Sequence, residues 1–139
     1  MTLEDLANYK DKYTNMKLKD LAIEFLERHN FKYNKMITQE GRLSGTEHHL
    51  DFLITGQEGK DFENPIKTGM IIKDYRKSTG ADAVCQVERL IKDLTPNINQ
   101  VILLANEFSV PARNLAERCG VPTISRGELI SMLWNPQGL

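Results

Sequence analysis

Residues 70–80 read MIIKDYRKSTG, an apolar run that turns basic at Lys73 and stops at a glycine. A short apolar run bounded by turn-forming residues has the character of a buried strand. A lysine at its end needs a reason, because an ammonium group leaves water only at a high cost unless it finds a partner. Reading backward, TGMIIKDY keeps the β pattern from Thr68 onward. Reading forward, Ser78, Thr79 and Gly80 break it, and Ala83, Val84, Val87, Leu90, Ile91 and Leu94 then line one face of a helix over residues 81–94. QVILLA follows at 100–105, almost wholly apolar, as expected of a strand covered on both faces. Strand, helix and strand in this order predict a crossover with parallel pairing.

Upstream, HHLDFLIT alternates, so Leu50, Phe52 and Ile54 are expected on one side of a strand, with His49, Asp51 and Leu53 on the other. On that reading Asp51 points away from the apolar face. The polar stretch GQEGKDFENP joins this strand to the lysine strand as a hairpin with a long tip. FKYNKMI is a further alternating strand, and QEGRLSGTE a loop. Leu18, Leu21, Ala22, Phe25 and Leu26 recur at spacings of three and four, the mark of a helix with one buried face. Thr2 and Asp5 resemble a capping pair that opens a short, mostly polar helix over residues 3–13.

Downstream, Ser109 is placed to cap a helix with Pro111 in its first turn, and Gly120 ends it. Residues 121–125 predict one more strand, Ser125 and Glu128 have the spacing of a capping box for a last helix through Trp134, and residues 135–139 form a loose tail. The expected architecture is α/β, with one mixed central sheet and flanking helices, in a single domain over residues 1–139 with residues 1–16 as an N-terminal extension.

With 18 Lys and Arg against 19 Asp and Glu, the formal charge is −1, which removes any global attraction to polyanions and leaves only local recognition. Cys85 and Cys119 lack metal or redox spacing and read as reduced, structural thiols. The acidic N-terminus is unlike a signal peptide, and no stretch approaches the length of a membrane span. A soluble, cytoplasmic protein without a membrane partner is the expectation.

An acid in one strand and a lysine ending its hairpin partner carry a further message. Together with LAIEFLERHNF, SGTEHHLDFLI, IIKDYRKSTGADAV and FSVPARNLAERCGV, they make the chain resemble the PD-(D/E)XK nuclease superfamily. Within it, the likeness is to the Mrr-type restriction-endonuclease-like domain with its αβββαβ core, over about residues 18–133. The resemblance implies DNA as partner and Mg²⁺, or Mn²⁺ in its place, as cofactor. The ion would be held by Asp51 and by a second acid two positions before the lysine, while Lys73 steadies the attacking water or the charge growing on phosphorus. Asp51 and Lys73 are thus the candidate catalytic residues.

The second acidic position holds Ile71, a hydrocarbon that cannot ligate an ion. Glu88, Glu47 and Glu24 are the candidate replacement ligands, with Asp20 beside Glu24, although each also reads as an ordinary solvated acid. Asp74 would serve only if a bulge shifted the strand. His48 and His49 face opposite ways on a regular strand, which leaves His49 alone able to join Asp51. Lys73, Arg76, Lys77 and Ser78, extended by Arg42, form the candidate phosphate-contacting group. Two functions follow: a Mg²⁺-dependent endodeoxyribonuclease with an altered acid set, or a catalytically silent member of the fold. The silent form would bind DNA or act as a protein-interaction or dimerisation module, as a homodimer or within a larger complex.

Overall fold

The structure is a computed structural model that describes residues 2–4, 12–59 and 67–133. Most of the expected helix over residues 3–13, the tip of the long hairpin and the tail at 135–139 lie outside the described residues.

Helix α1 (Leu18–Arg28) buries Leu18, Leu21, Ala22, Phe25 and Leu26, the stripe that the spacing predicts. Three strands follow as an antiparallel meander: β1 (Phe31–Glu40), β2 (Glu47–Gln57) and β3 (Thr68–Lys73). Helix α2 (Ala81–Leu94) then carries the chain across the sheet, and β4 (Gln100–Ala105) pairs in parallel with β3, Lys73 lying opposite Ala105. Five residues of β4, Val101 to Ala105, are buried, because a central parallel strand is covered by helices on both faces. Helix α3 (Val110–Cys119), strand β5 (Thr123–Ser125) and helix α4 (Arg126–Met132) complete a five-stranded sheet in the order β1-β2-β3-β4-β5.

The local signals at the chain's turns are realised. The Ser109 hydroxyl accepts from the Ala112 N–H at 3.2 Å, Gly120 adopts the left-handed conformation at φ 70°, and Ser125 and Glu128 form a reciprocal capping box. The last strand is shorter than expected, starting at Thr123.

Two apolar layers sandwich the sheet. On one face α1 and α4 pack on Phe52, Ile54, Met70, Ile102 and Leu104. On the other, α2 and α3 pack on Leu50, Val101, Leu103 and Ala105. Leu50 and Phe52 therefore lie in different layers although they are two residues apart, which corrects the expectation that Leu50, Phe52 and Ile54 share one side. The cause is visible in the pairing. Lys35 pairs with Phe52 and Ile37 with Leu50, while Met36, between them, has φ 53° and an exposed side chain. This left-handed residue breaks the pleat of both strands, so the alternation changes phase at Asp51. Leu50 then lies over Gly69, where an added Cβ would come 3.1 Å from the Leu50 Cδ1 atom.

Candidate functional site

The β2–β3 ladder runs only from Ile54↔Thr68 to Phe52↔Met70. Beyond it the strands part, and a side chain takes over the hydrogen bonding: Oδ2 of Asp51 accepts from the backbone N–H of Ile72 at 2.8 Å. A buried N–H without a strand partner needs such an acceptor. Asp51 is thus joined to β3 one residue before Lys73, the last residue of that strand.

Next to this opening, on the α2 side, is a cavity of about 540 Å³. Ile71 and Lys73 of β3, His48 and His49 of β2, and Val87 and Leu90 of α2 border it, joined by Gln86, Arg89 and Asp93 from the helix and Ser44 and Thr46 from the β1–β2 loop. Asp51 is not among its lining residues. Lys73 and Arg89 have no hydrogen-bond or ion-pair partner among the described residues. Both histidines border the cavity, unlike the expectation from simple alternation, although both pair in register with β1, His48 with Gln39 and His49 with Thr38.

Asp93 builds the cavity's far wall. Its carboxylate accepts from the Ser44 hydroxyl at 2.5 Å, from the N–H groups of Leu43 and Ser44 at 2.9 Å each, and bonds the His48 ring at 2.6 Å. The Ser44 hydroxyl, and after it His48, hold Asp93 well below the usual carboxylate range. The loop packs so closely that a Cβ on Gly41 would collide with the Asp93 carboxylate. Asp93 is not among the residues that the sequence singles out. Its signal there is present, though weak: Asp93 is three residues after Leu90 and beside Leu94, so it is an acid on the margin of a buried stripe.

The other candidate acids are engaged elsewhere. Glu88 turns toward α3, where it accepts from the Cys119 thiol and pairs with Lys92 at 2.9 Å; both interactions lower its pKa, Cys119 more than Lys92, and Glu88 in turn raises that of Cys119. Glu24 belongs to α1, on the opposite face of the sheet, paired with Arg28 at 3.0 Å. Glu47 is exposed at the start of β2, across from Glu40, and does not border the cavity. Asp20 is exposed. Asp74 faces away from the cavity: it caps α1 by accepting from the Leu18 N–H at 3.0 Å and accepts from the Asn106 amide at 2.7 Å, the contact that does most to lower its pKa.

Arg76, Lys77 and Ser78 are exposed in the turn between β3 and α2, next to the half-exposed ring of Tyr75. Arg42 does not extend this group. Its Nε donates to the Thr95 carbonyl at 2.7 Å, at the C-terminal end of α2, and a helix of that length separates its two ends by about 20 Å. Thr79 is buried, and its hydroxyl has no partner among the described residues.

A mixed sheet whose strands part beside an aspartate on one and a lysine ending the next defines a restriction-endonuclease-like fold. The chain belongs to the restriction endonuclease family Mrr_cat, which it matches over residues 11–133. A comparison with curated protein sequences finds no match. Among solved structures, the chain is similar to the protein of unknown function AF1548, with a TM-score of 0.66 and 19% identity over 87% of this chain and 65% of that one. A repair endonuclease from Pyrococcus abyssi gives 0.55 and 18% over 78% and 45% of the two chains, and an EndoMS–dsDNA complex gives 0.52 and 16% over 79% and 44%. At these identities the likeness is one of fold. The chain spans about two thirds of the first of these proteins and under half of the other two. No helix among the described residues is long and apolar enough to cross a membrane.

Among the described residues, the donor set does not fit the divalent ion that the resemblance implies. One oxygen of Asp51 accepts the Ile72 N–H, the neighbouring strand position is the hydrocarbon Ile71, and the cavity's carboxylate, Asp93, is saturated by its own donors. Among the described residues no three His, Cys, Asp or Glu side chains are grouped to hold an ion. A hard cation needs several oxygen ligands, and hydrocarbon supplies none.

Proposed function

We propose that this chain is a DNA-binding domain of the restriction-endonuclease fold that engages the phosphate backbone through the end of β3 and the turn after it. The observation that carries this reading is the cationic series Lys73, Arg76 and Lys77, without ion-pair partners among the described residues, issuing from the opening between β2 and β3. Phosphate contacts need local positive charge rather than a basic protein, so the near-neutral total does not oppose them. Similarity to a fold seen in a DNA complex supports DNA as the polyanion. Ile71 and the committed carboxylates support binding without turnover by a resident ion.

A second reading retains hydrolysis. It is favoured by one observation: the carboxylate of Asp51 lies against the backbone just before Lys73, so an acid and a cation flank the end of one strand. A plasmid-nicking assay with Mg²⁺ and Mn²⁺, run beside a gel-shift series in rising salt, separates the two. Salt-dependent binding with no nicking supports the first reading. Nicking that is lost in both Asp51→Ala and Lys73→Ala replaces it with the second, and the absence of both nicking and any salt-dependent shift overturns both.

A further inference from the structure

We propose that the cavity between β3 and α2 is an oxyanion pocket that takes a phosphate group directly, with no divalent cation between protein and phosphate. This deepens the DNA-binding reading and rests on it for the nature of the ligand.

The pocket's chemistry is that of an anion site. Lys73 at the end of β3 and Arg89 on α2 border one cavity, and neither makes a hydrogen bond or a close ion pair among the described residues, although the charge of Glu88 acts on Arg89 from the neighbouring position. Gln86 adds an amide, and His49 a ring whose Nδ1 lies 3.3 Å from the Thr38 hydroxyl. The one carboxylate in the wall, Asp93, is turned to the loop donors and to His48, so its charge is offset locally. Ile71, Val87 and Leu90 supply an apolar floor. Hydrocarbon beneath a cation lowers the local dielectric and strengthens its attraction to an anion. Ile71 thereby acquires a role: where a carboxylate would repel phosphate unless a metal ion stood between them, a hydrocarbon lets the cations face the oxyanion alone.

The test uses the full chain in two measurements. In the first, amide resonances are followed by NMR while inorganic phosphate is added in the presence of EDTA. Shifts centred on residues 71, 73, 86 and 89, lost in Lys73→Met and in Arg89→Gln, are expected. Circular dichroism of both variants checks that they fold, and an exposed charge on the opposite helix, Lys19→Met, serves as control. In the second, fluorescence anisotropy with a short duplex DNA gives Kd in EDTA and in Mg²⁺. The expected result is the same Kd within about twofold, raised about tenfold by either variant, as removal of one charge-assisted hydrogen bond implies. Binding that appears only with Mg²⁺ overturns the pocket while leaving the DNA-binding reading intact. Phosphate shifts at the cavity without any DNA binding do the reverse. Phosphate shifts spread over the surface, or unchanged in both variants, overturn the pocket.

Discussion

Oδ2 of Asp51 and the backbone N–H of Ile72 are joined at 2.8 Å, and this bond stands where the β2–β3 ladder ends. A side chain completes what the strand backbone leaves open, next to Lys73, the last residue of β3. Asp51 is therefore a structural acceptor whatever else it does. Asp51→Ala strands a backbone donor and is expected to cost about 1–3 kcal/mol in urea unfolding, whereas Asp51→Asn keeps an acceptor and costs less. Equal stability of Asp51→Ala and wild type would show that this bond contributes nothing to the fold.

Gly41 is packed against Asp93. Because an added Cβ would overlap the Asp93 carboxylate, Gly41→Ala has to push the loop off α2, at about 1–3 kcal/mol by the usual cost of overpacking. A fall in Tm accompanied by NMR shifts in residues 42–46 is the expected signature, and an unchanged Tm contradicts it.

Acid sensitivity should follow from Asp93. Its folded pKa is depressed below the ordinary 3.8, so its contribution is present above that value and is lost as pH falls through the lower folded one. Asp93→Asn should flatten the acid limb of a stability-against-pH curve. An acid limb as steep as that of wild type would assign the effect to other carboxylates.

Tyr33 provides the opposite sign. Its hydroxyl donates to Glu27 at 2.5 Å, and that bond, with burial and the Glu27 charge, pushes its pKa up to about 12. The stability it contributes is complete below 10, the unfolded value, and is lost as pH rises through about 12. Tyrosinate absorbance should show a late-titrating component that is lost in Tyr33→Phe and shifted down in Glu27→Gln.

Ile71→Glu inverts the proposed pocket. A carboxylate in place of the apolar floor should abolish phosphate binding in EDTA and introduce a heat of Mn²⁺ binding in isothermal titration that wild type lacks. Phosphate binding undiminished by the substitution would show that the floor is not part of the site. In the exposed turn, Arg76→Ala with Lys77→Ala should lower the slope of log K against log salt by about 2, one unit for each phosphate deprived of its cation.

The sequence by itself determined the order of elements, the helix caps and the crossover from β3 to β4. Those features depend on local periodicity, on side chains bonding their own backbone, as Ser109 and Ser125 do, and on the left-handed turn that Gly120 allows. It also made Asp51, Ile71 and Lys73 legible as the residues to watch, since the resemblance to the nuclease superfamily is carried by a few positions in one short segment. The tertiary structure alone decided where those side chains go. One left-handed residue, Met36, shifts the phase of β2 at Asp51, and no alternation rule applied to β2 alone detects a break that originates in its neighbour. It also decided which acids are spent: Glu88 on Cys119 and Lys92, Asp74 on α1 and Asn106, Asp93 on the loop from Gly41 to Thr46. A carboxylate looks the same in sequence whether it is free or saturated, because most of these donors come from segments tens of residues away, Lys92 beside Glu88 being the local exception.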